Sequence, residues 1–341
     1  MGNLFEKNSF FDGEISGSKL IYDGGISKNV FFTIIIPTYN RPELISFAIE
    51  SAINQINFDS YEILVIDNSS SESPPNKTED IVLKFSNPQI RYYRNIENIG
   101  MFKNWNRAIE LANGKWCTFL HDDDCFMPDI LCSIYSIIKN NDNITAIKAG
   151  QYTHYQRSDL DNPNIGEIAS GRYLSMKKWK FRKTDNVFRN SFQTPCGIFF
   201  LKENAIKLGG FNYNFYPAAD YLFWTNYLLN FDVYHTKTYF WICRIYENES
   251  LKTQTKLKLI EQSYLIRNLY SKKLNINSNF FRLFNLYLVK QNLTNIPLKD
   301  IKMNKNLIRL NNLQLRHIFF YKMINSFFKL EQRLRRGKWY D

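Results

Sequence analysis

The 341-residue sequence lacks the features that mark several common protein classes. Five cysteines are scattered along it (Cys117, Cys125, Cys132, Cys196 and Cys243), with no C-x-x-C pair. Such a set argues against a disulfide framework or a zinc site and favours reduced thiols in the cytoplasm. No stretch approaches the roughly 18 uncharged apolar residues of a membrane-spanning helix. Neither G-x-G-x-x-G nor G-x-x-x-x-G-K-[ST] follows the first predicted strand, which disfavours a dinucleotide dehydrogenase and a P-loop ATPase.

Positive charge is concentrated in the last quarter of the chain. The net charge of the whole sequence is +12, but residues 251–341 contain 19 Lys and Arg against 4 Asp and Glu, a local +15. Residues 1–250 contain 25 Lys and Arg against 28 Asp and Glu, which leaves a local −3. This asymmetry suggests a separate role for the C-terminal region.

Within that region, apolar residues recur every three or four positions over 315–334 and predict a basic amphipathic helix. Such a helix suits the anionic inner surface of a membrane. The same apolar stripe is equally compatible with docking on the rest of the protein or with an oligomer interface, the charges then being solvated. Nucleic acid is a weaker candidate, because no nucleic-acid-binding motif accompanies the charge.

Strands and helices alternate from residue 31 onward, after a polar N-terminal extension at 1–30. A continuous β-branched and aromatic run at 31–36 is typical of a strand buried on both faces, and a second buried strand is predicted at 61–66. Further strands are predicted at 90–93, 116–120 and 144–149, with helical periodicity between them. The alternation predicts an α/β fold with a mostly parallel sheet flanked by helices.

Polar clusters follow three of these strands, at 38–40, 67–68 and 122–124. In parallel sheets, ligands bind where the carboxyl ends of strands open into loops, so the three clusters point to one cleft. Asp122, Asp123 and Asp124 are adjacent carboxylates, which repel one another unless a cation is near. Mg²⁺ and Mn²⁺ take such ligands and fill their remaining positions with phosphate and water. The alternative is a solvated acidic turn.

Two further carboxylates are candidates for chemistry. Asp67 ends a buried strand, where its carboxylate can accept a hydrogen bond from the imino N–H of uracil, thymine or guanine. The alternative is that Asp67 only caps the following turn. Asp220 leads into an aromatic helix, and partial desolvation would raise its pKa and suit it to act as a general base. The alternative for Asp220 is a helix N-cap.

These segments together resemble a known family. The matching stretches, in order, are IIIPTYNR at 34–41, VIDNSS at 65–70, Asn98-Ile99-Gly100 through Asn106-Arg107-Ala108, LHDDD at 120–124 with Pro128, Gly209-Gly210-Phe211, and Asp220. The chain thus resembles the inverting glycosyltransferases of family 2 that build bacterial surface polysaccharides, over roughly residues 31–250. Two positions depart from the family pattern: His121 stands where an Asp is frequent, and Tyr246 lies near where a His is frequent.

The resemblance implies a GT-A, Rossmann-like fold with a nucleotide-sugar half at 31–150, an acceptor half at 151–250 and a basic helical region at 251–341. It implies a nucleotide-sugar donor, and Asp67 leads us to expect a UDP-sugar. It also implies a saccharide acceptor, with a lipid-linked saccharide as an option. The expected location is the cytoplasmic face of the membrane. The implied donor-binding residues are Thr38, Tyr39, Asp67, Asn98, Gly100, Asn104 and Asp122. Asp123 and Asp124 would hold Mn²⁺ or Mg²⁺, and Asp220 would be the catalytic base. A non-catalytic nucleotide- or glycan-binding protein of the same fold is the alternative.

Overall fold

A computed structural model describes residues 9–11, 17–26, 29–70, 76–155, 162–172, 174–245, 252–276, 278–294, 296–301 and 326. Within these residues ten strands form one sheet, numbered in chain order: β1 Ser18–Asp23, β2 Phe32–Thr38, β3 Tyr61–Asp67, β4 Ile90–Asn95, β5 Trp116–Phe119, β6 Cys125–Phe126, β7 Ala146–Tyr155, β8 Lys178–Lys180, β9 Ile198–Leu201 and β10 Val233–Ile245. The helices are α1 Pro42–Ile53, α2 Lys77–Lys84, α3 Met101–Leu111, α4 Ile130–Lys139, α5 Ile165–Gly171, α6 Lys202–Lys207, α7 Ala219–Asn230, α8 Thr253–Lys273, α9 Ser278–Leu293 and α10 Leu298–Ile301.

The sheet is mostly parallel at its centre. Its order is β1-β4-β3-β2-β5-β9-β7-β10-β6, with β8 also paired to β10. Strands β4, β3, β2 and β5 run parallel, and so do β7 and β10, whereas β9 joins the two groups by antiparallel pairing. The predicted α/β class is confirmed. The predicted extension at 1–30 contains β1, an antiparallel edge strand on β4 that the sequence pattern did not reveal.

Helices cover both faces of the sheet. Ile34 and Ile36 of β2 pack in a cluster that includes residues of α1 and α4, whereas Ile35 packs in a second cluster with residues of α3 and α7. Alternate residues of a strand point to opposite faces, so these are the two sides of a doubly covered sheet. Every residue of β3 is buried, including Glu62, whose carboxylate pairs with Arg91 at 2.9 Å.

The C-terminal helices pack on the sheet domain. Ile266 of α8 lies in one apolar cluster with Tyr221 and Leu222 of α7. The Gln262 side chain accepts a hydrogen bond from the Ala218 N–H at 3.0 Å and donates to the Tyr216 carbonyl at 3.0 Å. Helix α8 therefore fixes the segment that starts α7.

The predicted amphipathic helix at 315–334 lies outside the described residues, apart from Ser326, so its role stays a prediction. The division of 31–250 into donor and acceptor halves likewise stays a prediction. Among the described helices, none is both long enough and apolar enough to cross a membrane.

Candidate functional site

The acidic loop follows β5 at the carboxyl edge of the sheet. Asp122, Asp123 and Asp124 are buried, with 4%, 7% and 2% of their surface exposed. Burial raises the pKa of Asp122 to about 6, although the neighbouring Arg41 opposes this. Burial also raises the pKa of Asp124, against a hydrogen bond from His121 that lowers it. The run is therefore not a solvated acidic turn, and its charge needs compensation from within the site.

Arg41 supplies part of that compensation. Its Nη1 donates to Asp122 Oδ1 at 3.0 Å, and its Nη2 donates to Asp123 Oδ2 at 2.9 Å. Asp122 Oδ2 accepts a further bond from the Thr38 hydroxyl at 2.9 Å. Asn40, at φ 52°, makes the turn between Thr38 and Arg41 in a conformation that asparagine tolerates better than most residues. The loop after β2 thus meets the loop after β5.

Arg244, near the end of β10, binds the acidic loop with both its guanidinium and its backbone N–H. Its guanidinium Nε donates to the Asp123 carbonyl, and its backbone N–H donates to Asp124 Oδ1 at 3.0 Å. The guanidinium also bonds Asn162 Oδ1 at 2.7 Å and lies over the Phe47 ring at 5.0 Å. Only 1% of Arg244 is exposed, so its charge is buried directly behind the carboxylates.

His121 joins two of the carboxylates in a set suited to a metal ion. Its Nδ1 lies 3.5 Å from Asp124 Oδ2, and one ligand atom each from His121, Asp123 and Asp124 fall within 4.8 Å of one another. Imidazole nitrogen and carboxylate oxygen are common ligands of divalent ions, so the donor set fits such an ion. Asp123 and Asp124 were predicted from sequence as metal ligands, whereas His121 was not.

The Asp67 carboxylate is fully buried and bonded within the protein. Its Oδ1 accepts from the Ser69 N–H at 2.9 Å, and its Oδ2 accepts from the Tyr92 hydroxyl at 3.0 Å and the Asn76 amide at 3.2 Å. This geometry supports the turn-capping alternative that the sequence left open. The contact of Asp67 with a nucleotide base stays a prediction.

Asparagine side chains connect the predicted donor residues. Asn68 accepts from Asn95 at 2.9 Å and donates to Asn98 at 2.8 Å, while Asn95 also donates to Asn104 at 2.8 Å. The Asn68 N–H donates to the Thr38 carbonyl at 2.9 Å, which joins this network to the loop beside the acidic run.

The same predicted residues differ in their access to the cleft. Asn104 is 3% exposed and therefore supports the loops from inside. Tyr39, at 46% exposed, Asn98 and Gly100 lie at the surface. Gly100 has φ 83°, a conformation that favours glycine.

Asp220 lies in the first turn of α7, two residues after the N-cap position, which Ala218 occupies without a side-chain bond. Its Oδ1 accepts from the Tyr221 N–H at 2.7 Å. Burial raises the pKa of Asp220 to about 6, and the charge of His121 lowers it slightly, so the two side chains are electrostatic neighbours. A half-buried carboxylate with this pKa fits the predicted base better than the N-cap alternative.

Sequence reasoning missed the roles of Arg41 and Arg244 and the place of His121 in the cluster. Arg41 directly follows the polar loop after β2, and a cation there is a readable signal for a nearby anionic site. Arg244 reaches the acidic loop across 121 residues of sequence, a contact that no local pattern reveals.

Comparisons with known proteins identify the family of the chain. The sequence profile of Glycosyl transferase family 2 matches residues 33–209. An uncharacterised glycosyltransferase of Methanocaldococcus jannaschii is 25% identical over 58% of the chain, a match that spans 64% of that relative, less than two thirds of its length. The UDP-Glc:alpha-D-GlcNAc-diphosphoundecaprenol beta-1,3-glucosyltransferase WfgD of Escherichia coli is 28% identical over 58% of this chain and 69% of WfgD.

Solved structures share the fold. TarS 1-349 of S. aureus, in complex with UDP-GlcNAc, superposes with a TM-score of 0.53 at 16% identity and covers 92% of this chain and 93% of that one. The mannosyltransferase PcManGT of Pyrobaculum calidifontis, in complex with GDP-Man and Mn²⁺, gives 0.50 at 13% identity over 91% and 89%. These neighbours bear out the predicted GT-A fold, and the profile match covers more than half of the sequence. The chain belongs to glycosyl transferase family 2.

Proposed function

We propose that the protein transfers a sugar from a nucleotide-sugar, with inversion at the anomeric carbon, to a hydroxyl of a saccharide acceptor in surface-polysaccharide synthesis. The observation that carries the proposal is the pairing of a buried acidic loop with Asp220. The loop suits the diphosphate side of a donor, and Asp220 has the pKa of a base that works near neutral pH.

The donor side is formed by the loops after β2, β3 and β5. Tyr39 lies at the surface on the nucleoside side, and Asn98 and Gly100 line the rim. Four buried residues act through the loops that they hold, because their side chains are bonded within the protein: Thr38, Asp67, Asn104 and Asp122. A uridine nucleotide is the expected donor. The donor in the name of WfgD, UDP-Glc, supports this expectation.

The chain supplies positive charge for the leaving nucleotide, and a bound divalent ion would add to it. His121, Asp123 and Asp124 are the residues that would hold the ion, with Mn²⁺ or Mg²⁺ expected. Bound there, the ion supplies positive charge beside the diphosphate. Arg41 is placed to add a second positive charge from the opposite loop.

The acceptor side is organised around Asp220. Its carboxylate takes the proton of the acceptor hydroxyl while that oxygen forms a bond to the anomeric carbon. The bond between the anomeric carbon and the diphosphate oxygen breaks on the opposite face, and the nucleoside diphosphate leaves with the electron pair. The hydrogen bond from the Tyr221 N–H fixes one carboxylate oxygen for this role.

A lipid-linked saccharide is the proposed acceptor class. The acceptor in the name of WfgD, a GlcNAc-diphosphoundecaprenol, is a lipid-linked saccharide. The +15 charge of residues 251–341 suits an anionic membrane surface. We therefore propose peripheral attachment on the cytoplasmic face. Sedimentation of the full chain with vesicles containing phosphatidylglycerol, at low and high salt, tests this. Equal recovery with neutral vesicles would contradict it.

Calorimetric titration with UDP, GDP, dTDP and CDP, each with and without Mn²⁺, tests the donor site. We expect one nucleotide, UDP, to bind in a Mn²⁺-dependent manner, and Asp123→Ala to weaken that binding. Asp220→Asn is the matched variant, because it should bind the nucleotide like the unmodified protein. Absence of binding by all four nucleotides would refute the proposed donor site.

A further inference from the structure

The position of His121 is unusual in both sequence and structure. The family frequently has an aspartate there, and an aspartate would offer only oxygen. In this chain the ring lies beside Asp124, with Nδ1 at 3.5 Å from Oδ2. Two ligands of one ion, each about 2.1 Å from it, lie about 3.0 to 3.4 Å apart. This contact is the hydrogen bond from His121 to Asp124 described above, and its length is also close to the spacing of two ligands that share an ion.

The ring is held in place at the acidic loop. Trp105 of α3 stacks on it, with ring centroids 5.8 Å apart and planes 24° from parallel. Trp105 itself is 6% exposed and packs against Phe102 and Phe119. In the part of the chain that the structure describes, His121 Nε2 is buried without a hydrogen-bond partner. The imidazole is therefore confined beside the carboxylates and retains bonding capacity there.

We infer that His121 makes the site selective for a divalent ion that accepts nitrogen, such as Mn²⁺, over Mg²⁺. The inference rests on the proposed function, since it assumes that the cluster holds the ion of the donor complex. Mg²⁺ prefers an all-oxygen octahedron and gives up its water reluctantly, so a nitrogen ligand contributes little to its binding. First-row transition-metal ions gain more from an imidazole ligand than Mg²⁺ does, and Mn²⁺ stands at the weak end of that series.

The test compares Mn²⁺ and Mg²⁺ binding in the presence of saturating UDP. Free Mn²⁺ is measured by its electron paramagnetic resonance signal, and Mg²⁺ affinity by competition against Mn²⁺. We expect His121→Asp to lower the ratio of Mn²⁺ to Mg²⁺ affinity by about tenfold or more. His121→Asn, which has a similar shape and no imidazole, should lower Mn²⁺ affinity and leave that of Mg²⁺ nearly unchanged. Circular dichroism melting establishes that each variant is folded.

His235→Gln is the matched control, because His235 stacks on Trp179 at the opposite end of β10 from Arg244. Its affinity ratio should equal that of the unmodified protein. Mn²⁺ binding with an unchanged ratio in both His121 variants would overturn this inference and leave the proposed function standing. Failure of the unmodified protein to bind either ion with UDP, while it binds UDP alone, would overturn the inference together with the metal dependence of the proposed function.

Discussion

Replacing Asp220 by asparagine should raise stability and abolish turnover together. Burial raises the pKa of this carboxyl from 3.8 to about 6. Each tenfold change in proton affinity is worth about 1.4 kcal/mol, so ionised Asp220 destabilises the folded state by about 3 kcal/mol. A raised carboxyl pKa means that the folded state binds the proton more tightly. This destabilisation is therefore absent below about pH 4 and complete above about pH 6.

The assay is urea unfolding of both proteins at pH 4 and pH 8. Asp220→Asn should be more stable than the unmodified protein by up to about 3 kcal/mol at pH 8, and nearly equal to it at pH 4. Its turnover should fall by about 10² to 10⁴, the usual contribution of a general base. Asp232→Asn is the control, because Asp232 lies beyond the other end of α7 in an exposed pair with Lys180 at 2.6 Å. Equal stability of Asp220→Asn and the unmodified protein at pH 8, or turnover within tenfold, would refute the reasoning.

Three further outcomes follow from the site. The ratio kcat/KM should rise with pH up to about 6 and then level off, because only ionised Asp220 of the free enzyme accepts a proton; a flat profile from pH 5 to 8 would contradict the base assignment. Arg41→Met should lower the metal-free unfolding free energy by about 1–3 kcal/mol. The same variant should bind Mn²⁺ more tightly without nucleotide, as measured by electron paramagnetic resonance, because the guanidinium no longer occupies Asp123. Weaker Mn²⁺ binding would refute this. Arg244→Lys should reduce both the melting temperature and the Mn²⁺-dependent affinity for UDP, because one ammonium cannot replace the bonds of the guanidinium. Unchanged UDP affinity would show that the acidic loop keeps its shape without those bonds.

The central strands and the acidic loop could be predicted from sequence because their signals are local. The apolar run of β2 and the apolar residues that follow Glu62 in β3 identify buried parallel strands, and the polar residues directly after them mark the binding edge. Strand β1 carries no such run, since it is an edge strand with exposed and half-buried positions. Its place in the sheet depends on pairing with β4, which lies far along the chain.

The charge interactions of the site were harder to predict from the sequence, because they also join residues that lie far apart along the chain. Three adjacent aspartates predict a cation, yet only the folded chain shows that Arg41 provides one across 81 residues. Asp67 shows another limit of local signals. Its position at a strand end suggested either a nucleotide contact or a turn cap, and the bonds from Tyr92 and Asn76 to its carboxylate have no signature in sequence. The aromatic residues that flank Asp220 suggested its partial desolvation, whereas its role as the base stays a prediction.

The bonds between Gln262 and the start of α7 bear on how this enzyme family could be recombined. The profile match ends at residue 209, before α7, so it does not indicate where a chimera should be joined. A junction between α7 and α8 would separate Asp220 from the helix that bonds Ala218 and Tyr216. The smallest exchangeable module is therefore the sheet together with α8. Relatives that differ in α8 are expected to differ in how their base meets an acceptor, even when their donor loops are the same.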